Sequence, residues 1–181
     1  DVAFEVIGDI ALSAASQQSG GFSVPSADLI LDKYAEKSYA KYMDKYMSLG
    51  LTREKAEEVA YRDVERDFEQ GFQGWEYKFN TVASSRGDYP FITVTIGTGR
   101  TRFAKMASIC MLRVRMNGQG KAGHKKPVLF PKVVFLYDEN LHGPGKELED
   151  VFEAGIECSR KTMYPDWLSL TGKGYIASMC K

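Results

Sequence analysis

The spacing of apolar residues changes near Asn80, and this change limits the folds open to the chain. Before Asn80, apolar side chains recur at intervals of three and four residues, which predicts amphipathic helices. After it, β-branched and apolar runs alternate with glycine-rich breaks, which predicts strands alternating with helices. The sequence therefore predicts an α/β fold, with a helical region over residues 1–80 and a strand-containing region over residues 81–181.

Three helices are predicted before residue 80. The first is indicated by apolar residues at every fourth position, Val2, Val6, Ile10 and Ala14. Ser26 is predicted to cap a second helix that runs to Gly50, and Thr52 to cap a third. The third helix has an apolar stripe that consists of Ala56, Ala60, Val64, Phe68, Phe72, Trp75 and Phe79. Because the turn between the second and third helices is short, they should pack as an antiparallel hairpin.

Strands are predicted over residues 91–96 and 128–137, each followed by a helix, and a short final strand over 175–177. Residues 128–137 are nearly all apolar, as expected for a strand buried on both faces of a parallel sheet. Two or three strands cannot cover both edges of a sheet. The second half is therefore expected to be a slice of a larger α/β fold.

Composition excludes several classes of protein. Lys plus Arg and Asp plus Glu are both 24, and this zero net charge disfavours a general nucleic-acid binder. No apolar run approaches the ~20 residues that a membrane helix needs. The segment Asp1–Glu5 has no basic region of a signal peptide and no initiator Met, so we expect an excised or processed segment.

The three cysteines are Cys110, Cys158 and Cys180, and no CxxC motif occurs. Neither a disulfide framework nor a metal site is therefore expected within the chain, and free thiols suggest a cytoplasmic location. Cys110 and Cys158 lie on or beside apolar stripes, so we expect both to be buried and structural.

Charge is distributed unevenly along the second half. Residues 100–132 contain nine Lys or Arg and no acid, whereas residues 138–157 contain seven acids and one Lys. These segments could attract each other across the fold, or the basic one could bind the phosphates of a small anionic ligand. Charge alone favours the first interpretation.

Three segments could bind a nucleotide, and each has a simpler structural explanation. Gly97-Thr98-Gly99 could hold a phosphate between a strand and a helix, or form an ordinary turn. Residues 80–87 could bind phosphate or ribose, or cap the preceding helix. The second helix could use its tyrosines for dimerisation or base stacking, or half-bury them against its hairpin partner. These tyrosines are Tyr34, Tyr39, Tyr42 and Tyr46.

Many short segments along nearly the whole chain form a pattern when they are taken in order. They are Ser16-Gln17-Gln18-Ser19-Gly20-Gly21, Ala35-Glu36-Lys37-Ser38, Gln73-Gly74-Trp75-Glu76-Tyr77-Lys78-Phe79-Asn80-Thr81, Ser85, Gly87, Pro90, Phe91, Gly118-Gln119-Gly120, Phe130-Pro131-Lys132 and Met163-Tyr164-Pro165-Asp166. In this register they resemble the large catalytic subunit of anaerobic (class III) ribonucleoside-triphosphate reductase, a glycyl-radical enzyme.

The resemblance implies a fold and a chemistry. The chain would be an internal segment of a ten-stranded α/β barrel, with residues 1–80 at the dimer and effector face and residues 81–181 as the first part of the barrel. The whole protein would reduce ribonucleoside triphosphates through glycyl and thiyl radicals. It would be a homodimer with a structural zinc and an activating partner, a radical-SAM iron–sulfur protein, all cofactors lying outside this chain.

The family's radical cysteine lies in a Met-Gly-Cys-Arg motif. Ser178-Met179-Cys180-Lys181 lacks the Gly and the Arg, so no catalytic residue is assigned and Cys180 is a weak candidate only. The chain alone is expected to be inactive. A stand-alone nucleotide-binding or dimerisation module remains the alternative function.

The resemblance also indicates binding residues. Ser84, Ser85, Gly97 and Gly99 become substrate-binding candidates, and the glycines rank higher because they end a parallel strand. Arg62 and Arg66 become effector-binding candidates because cations four residues apart share a helix face and suit a triphosphate. They could instead form salt bridges with neighbouring acids, for instance Glu58, Asp63 or Glu69.

Overall fold

The computed structural model describes residues 2–18, 20–82, 87 and 90–171. It contains five helices and a four-stranded parallel sheet in the order β1-β2-β3-β4. The elements are α1 (Val2–Gln17), β1 (Phe22–Val24), α2 (Ala27–Ser48), α3 (Arg53–Thr81), β2 (Ile92–Ile96), α4 (Arg102–Asn117), β3 (Lys132–Tyr137), α5 (Glu149–Thr162) and β4 (Asp166–Ser169). The predicted α/β class, the parallel sheet and the strand–helix alternation after residue 80 are confirmed.

Two strands were missed by the sequence analysis. β1 has three residues between a Gly-Gly pair and Pro25, so it is too short to show a period-two pattern. β4 begins with Asp166 and ends with Ser169, and none of its four residues is fully buried. The final strand predicted at 175–177 lies outside the described residues.

The α2–α3 hairpin forms as predicted, and the seven predicted stripe residues of α3 are all buried. The side chain of Thr52 caps α3 by accepting a bond from the backbone N–H of Lys55 at 3.4 Å. Further along the hairpin, the hydroxyl of Tyr42 donates to Asp67 at 2.7 Å. Hydrogen bonds thus supplement the apolar packing between the two helices.

The predicted cap at Ser26 is wrong. Ser26 does precede α2, but its φ is 45° and its side chain makes no capping bond. Its backbone N–H donates instead to the Thr95 hydroxyl of β2 at 2.7 Å. The start of α2 is therefore fixed by the sheet.

The predicted apolar face of α1 is also wrong, although the helix itself is confirmed. Val2, Val6 and Ile10 are 76%, 50% and 57% exposed, and the buried residues are Phe4, Gly8 and Ala11. The buried face is selected by fit against α3. The ring of Phe4 lies edge-on to Phe72 and Trp75, both at 5.0 Å, and the Trp75 indole donates to the Phe4 carbonyl at 2.7 Å.

A buried ion pair joins α3 to α4 at the amino end of the sheet. The Nε atom of Arg115 lies 3.0 Å from Oε1 of Glu76, and both side chains are almost fully buried. The guanidinium also donates to the carbonyls of Val128 and Pro131, just before β3. Burial lowers the pKa of Arg115 and raises that of Glu76, and the attraction between the two charges opposes both shifts.

The basic and acidic segments of the second half attract each other, which confirms the simpler interpretation of their charges. Arg100 pairs with Glu147, and Lys105 lies 3.2 Å from Asp150. No helix of the described residues combines the length and hydrophobicity required to cross a membrane.

Candidate functional site

The carboxyl ends of β2 and β3 lie side by side in the sheet, since the two strands are parallel neighbours. Residues 97–101 lead from β2 into α4, and residues 138–148 lead from β3 into α5. In parallel sheets, ligands bind beyond the carboxyl ends of the strands. These two loops therefore form the candidate site.

The Gly97–Gly99 loop surrounds a carboxylate of the protein itself. The backbone N–H groups of Gly97, Thr98 and Gly99 all donate to Oδ2 of Asp28, at 3.0, 3.1 and 2.8 Å. The Ser108 hydroxyl of α4 donates to the same oxygen at 3.3 Å. Asp28 lies in the first turn of α2 and is fully buried. The three amides that could have held a phosphate thus hold an internal anion.

Both glycines are required by this geometry. Gly97 has a φ of +111°, which disfavours other residues. At Gly99 a Cβ would overlap the side chain of Ala104 and lie 3.0 Å from the Asp28 oxygen. The expected close backbone approach is therefore present, but toward Asp28. Contact of these glycines with substrate remains a prediction.

Burial and hydrogen bonding have opposite effects on the pKa of the Asp28 carboxyl. Burial raises the pKa of its carboxyl, and the bonds from the Gly99 and Gly97 amides oppose this rise. One oxygen accepts four hydrogen bonds, an arrangement that suits the ionised carboxylate.

His142 holds the other side of the loop. Its Nε2 atom lies 2.7 Å from the Gly97 carbonyl, and because a carbonyl can only accept, Nε2 carries a proton and donates. Its Nδ1 atom lies 2.9 Å from the backbone N and 3.1 Å from the carbonyl O of Asp138. The imidazole is 2% exposed and packs between Phe135 and Tyr137.

Neither Asp28 nor His142 was identified from the sequence. Asp28 lies in the first turn of α2, where acidic residues are common. Its local sequence gives no indication of the contact with Gly97, which lies 69 residues away. His142 is far from His124 in the sequence, and nothing in its spacing indicates a contact with Gly97. The shared contact with Gly97 becomes visible only in the fold.

Arg62 and Arg66 share an exposed face of α3. Within the described ranges neither forms a salt bridge. The acids proposed as partners bind other groups, since Glu58 pairs with Lys55, Glu69 with Arg113, and Asp63 accepts from the Tyr46 hydroxyl. Asp63 raises the pKa of Tyr46, and the charges of both arginines partly oppose this rise. Lys55 lowers the pKa of Glu58 and the charge of Arg62 adds to this effect, so Arg62 is also attracted to one of its predicted partners. Binding of an anionic ligand by the two arginines stays a prediction.

The remaining predicted residues are distributed elsewhere. Ser84, Ser85 and Cys180 lie outside the described residues. Cys110 and Cys158 are fully buried, as predicted. Burial raises the pKa of the Cys110 thiol to about 12 and also raises that of Cys158, so neither thiol is suited to form a thiolate.

One group of possible metal ligands was not predicted. The ligand atoms of Glu65, Glu69 and Cys110 lie within 4.8 Å of one another. The guanidinium of Arg113 binds both carboxylates, at 2.8 and 2.7 Å. Because a cation of the protein already neutralises the two acids, the group is explained as an ion-pair network.

The described residues define an α/β protein with a parallel sheet and a tightly held loop at its carboxyl edge. The sequence matches the family model for anaerobic ribonucleoside-triphosphate reductase over residues 1–181. The chain belongs to this family.

Three relatives of that name support the assignment. The protein of Enterobacteria phage T4 is 33% identical over 170 residues, which cover 93% of this chain and 27% of the phage protein. The Haemophilus influenzae protein is 32% identical and the Escherichia coli protein 31% identical, each matching 91% of this chain and 23% of its own length. The chain thus spans about a quarter of the length of these relatives.

Proposed function

We propose that this chain is an internal segment of an anaerobic ribonucleotide reductase. The whole protein would reduce ribonucleoside triphosphates to deoxyribonucleotides by glycyl and thiyl radical chemistry. The observation that carries the proposal is the family match, which extends over residues 1–181. The segment would supply the dimer and effector helices and part of the substrate barrel.

The sheet supports the barrel part of this proposal. Its four strands are parallel and stand side by side in the order in which they occur along the chain. Consecutive barrel strands have this order, whereas doubly wound sheets reverse direction at a switch point. Among the described residues, β1 and β4 each pair with one neighbouring strand, so further barrel strands could continue at both edges.

The position of the Gly97–Gly99 loop supports a substrate-side role. The loop lies at the carboxyl edge, where barrel enzymes place their active sites. Because its amides bind Asp28, we expect substrate to meet the outer surface of the loop, including the half-buried Thr98. Ser84 and Ser85 remain candidates on the adjoining sequence.

The zinc and radical groups implied by the resemblance would lie in other parts of the whole protein. A four-cysteine zinc site needs clustered thiolates. The Cys110 sulfur faces the Glu65 carbonyl at 3.9 Å, whereas the Cys158 sulfur faces the Leu112 carbonyl at 3.6 Å. These two buried thiols do not fit such a site.

Reductase activity is tested with the full-length protein, activated without oxygen by its radical-SAM partner. We expect deoxyribonucleotides to form from ribonucleoside triphosphates. A protein that acquires the glycyl radical and makes no deoxyribonucleotide would contradict the proposal. Binding of deoxynucleoside triphosphates by the 181-residue chain, without reduction by the whole protein, would favour the alternative of a binding module.

The effector role of Arg62 and Arg66 is tested by Arg66→Ala and Arg62→Ala in the full-length homodimer. Each should weaken the binding of a deoxynucleoside triphosphate effector about tenfold, because a charge-assisted bond to phosphate is lost. Arg53→Ala is the matched control, since it removes an exposed cation from the same helix but one that pairs with Glu57. Equal affinities in all three variants, measured by calorimetry, would refute the assignment.

A further inference from the structure

Polar side chains from two separate parts of the fold hold the Gly97–Gly99 loop. Asp28 belongs to α2, and His142 belongs to the connection between β3 and α5. The first fixes three successive N–H groups and the second fixes the Gly97 carbonyl. Both polar groups of Gly97 are thereby bound, so the backbone there has little freedom to turn.

We propose that Asp28 and His142 are positioning residues for the nucleotide substrate. Together they hold the Gly97–Gly99 loop in the shape that forms part of the substrate side of the sheet. This inference rests on the proposed function, because the loop is assigned to substrate there. It adds two residues that act through the loop and need not touch the nucleotide themselves.

The contacts of Asp28 and His142 both restrict the backbone geometry of the Gly97–Gly99 loop. A carboxylate that accepts several N–H bonds forms charge-assisted bonds, which are stronger than neutral ones. His142 is constrained at both ring nitrogens, by the Asp138 amide and by the Gly97 carbonyl. The hydroxyl of Thr101, two residues after Gly99, adds a second contact to α2 by donating to Asp32 at 2.5 Å.

Asp28 and His142 lie at the opposite end of the sheet from Glu76 and Arg115, two other buried charged residues that the structure describes. Glu76 and Arg115 form their ion pair at the amino end of the sheet, beside the residues that enter β3. In parallel α/β sheets ligands bind beyond the carboxyl ends of the strands, and in eight-stranded barrels the amino end serves stability. Asp28 and His142 meet at the carboxyl end, against the loop that leaves β2.

The test uses the activated full-length enzyme with Asp28→Ala, Asp28→Asn, His142→Leu and His142→Gln. In the Ala and Leu variants we expect kcat/KM for ribonucleoside triphosphate to fall about 10- to 100-fold, because displacement of a positioning group by about 1 Å has effects of this size. The loss should appear mainly in KM. Asn and Gln should recover most of it, since each retains a group that can bond the loop.

Amide hydrogen exchange at residues 97–99 provides a readout independent of activity. We expect faster exchange in Asp28→Ala and His142→Leu than in the unsubstituted enzyme. Glu76→Gln is the matched control, because it alters a buried acid at the opposite end of the sheet. It should lower the unfolding temperature and leave KM unchanged.

The outcomes distinguish the inference from the function on which it rests. If the loop exchanges faster but KM is unchanged, or if Glu76→Gln raises KM as much as Asp28→Ala does, the inference is overturned. If the unsubstituted enzyme makes no deoxyribonucleotide, the proposed function fails, and the exchange data alone decide whether the loop is held as described. If Asp28→Ala does not fold, His142→Leu still decides the question, because it removes the other side chain that holds the loop.

Discussion

Two buried acids show how strongly surroundings determine what a carboxylate does. Asp28 is surrounded by backbone N–H donors and holds a loop. Glu76 faces a guanidinium and joins two helices. The sequence predicted neither, because a lone acid within a helix gives no sign of a partner 39 or 69 residues away. Local spacing and the family resemblance indicated Arg62 and Arg66, whose effector role stays a prediction, but did not indicate the residues that support the loop.

Removal of one partner from the amino-end ion pair should destabilise the fold strongly. Arg115→Met leaves the Glu76 charge buried and frees two carbonyls, so we expect a loss of about 3–5 kcal/mol. The measurement is the free energy of opening of α4, from amide exchange in the full-length protein.

Gln119→Ala is the control for that substitution. It removes one 3.1 Å bond to Glu76 and should reduce the stability of α4 by about 1 kcal/mol. Similar losses for the two variants would show that the buried charge is not the source of the effect. The double variant Glu76→Leu with Arg115→Met should recover part of the loss, because no unpaired charge remains.

At the scale of elements, periodicity predicted that helices form but did not always predict which face is buried. The buried stripe of α3 was predicted correctly because its seven apolar residues, large and small, lie on the same face over most of the helix. On α1, Val2, Val6 and Ile10 lie on a different face from Phe4, Gly8 and Ala11. α3 packs on the second face, where the ring of Phe4 contacts Phe72 and Trp75 and a Cβ at Gly8 would lie 3.3 Å from the Trp75 indole.

The α1–α3 contact should be sensitive to single methyl groups. A Cβ at Gly71 would overlap the ring of Phe4, so Gly71→Ala should weaken the contact by about 1–3 kcal/mol. At Gly74, three residues along, the atom nearest to the Cβ position is Oε1 of Glu5 at 4.0 Å, and Gly74→Ala should stabilise α3 by about 0.5–1 kcal/mol. Amide exchange of α1 should accelerate in the first variant only. Acceleration in both would contradict this packing.

At the scale of the whole molecule, the sequence predicted the α/β class and two of the four strands found among the described residues. β2 and β3 were recognised because they are long and apolar. β1 and β4 were missed because they are short. Each forms by pairing with a longer neighbouring strand, β2 or β3, and not from a pattern in its own sequence. The prediction that the chain is part of a larger fold came from the number of predicted strands, because two or three strands leave the edges of a sheet uncovered.

The outer edge of β4 should be covered in the full-length protein. The Leu170 N–H donates to the Tyr137 carbonyl of β3, so the alternate amides of Trp167 and Ser169 point away from β3. If a further barrel strand pairs there, these amides should exchange about as slowly as that of Leu168. Rapid exchange of Trp167 and Ser169 beside a protected Leu168 would exclude such a strand.

The outward row of Val2, Val6 and Ile10 on α1 has a practical consequence for purification. Exposed aliphatic patches bind apolar supports, and sulfate salts strengthen that adsorption. The isolated 181-residue chain should therefore be retained on a phenyl column in ammonium sulfate and elute as the salt is lowered. For the same reason, concentrated stocks should be stored in low-salt buffer to limit precipitation.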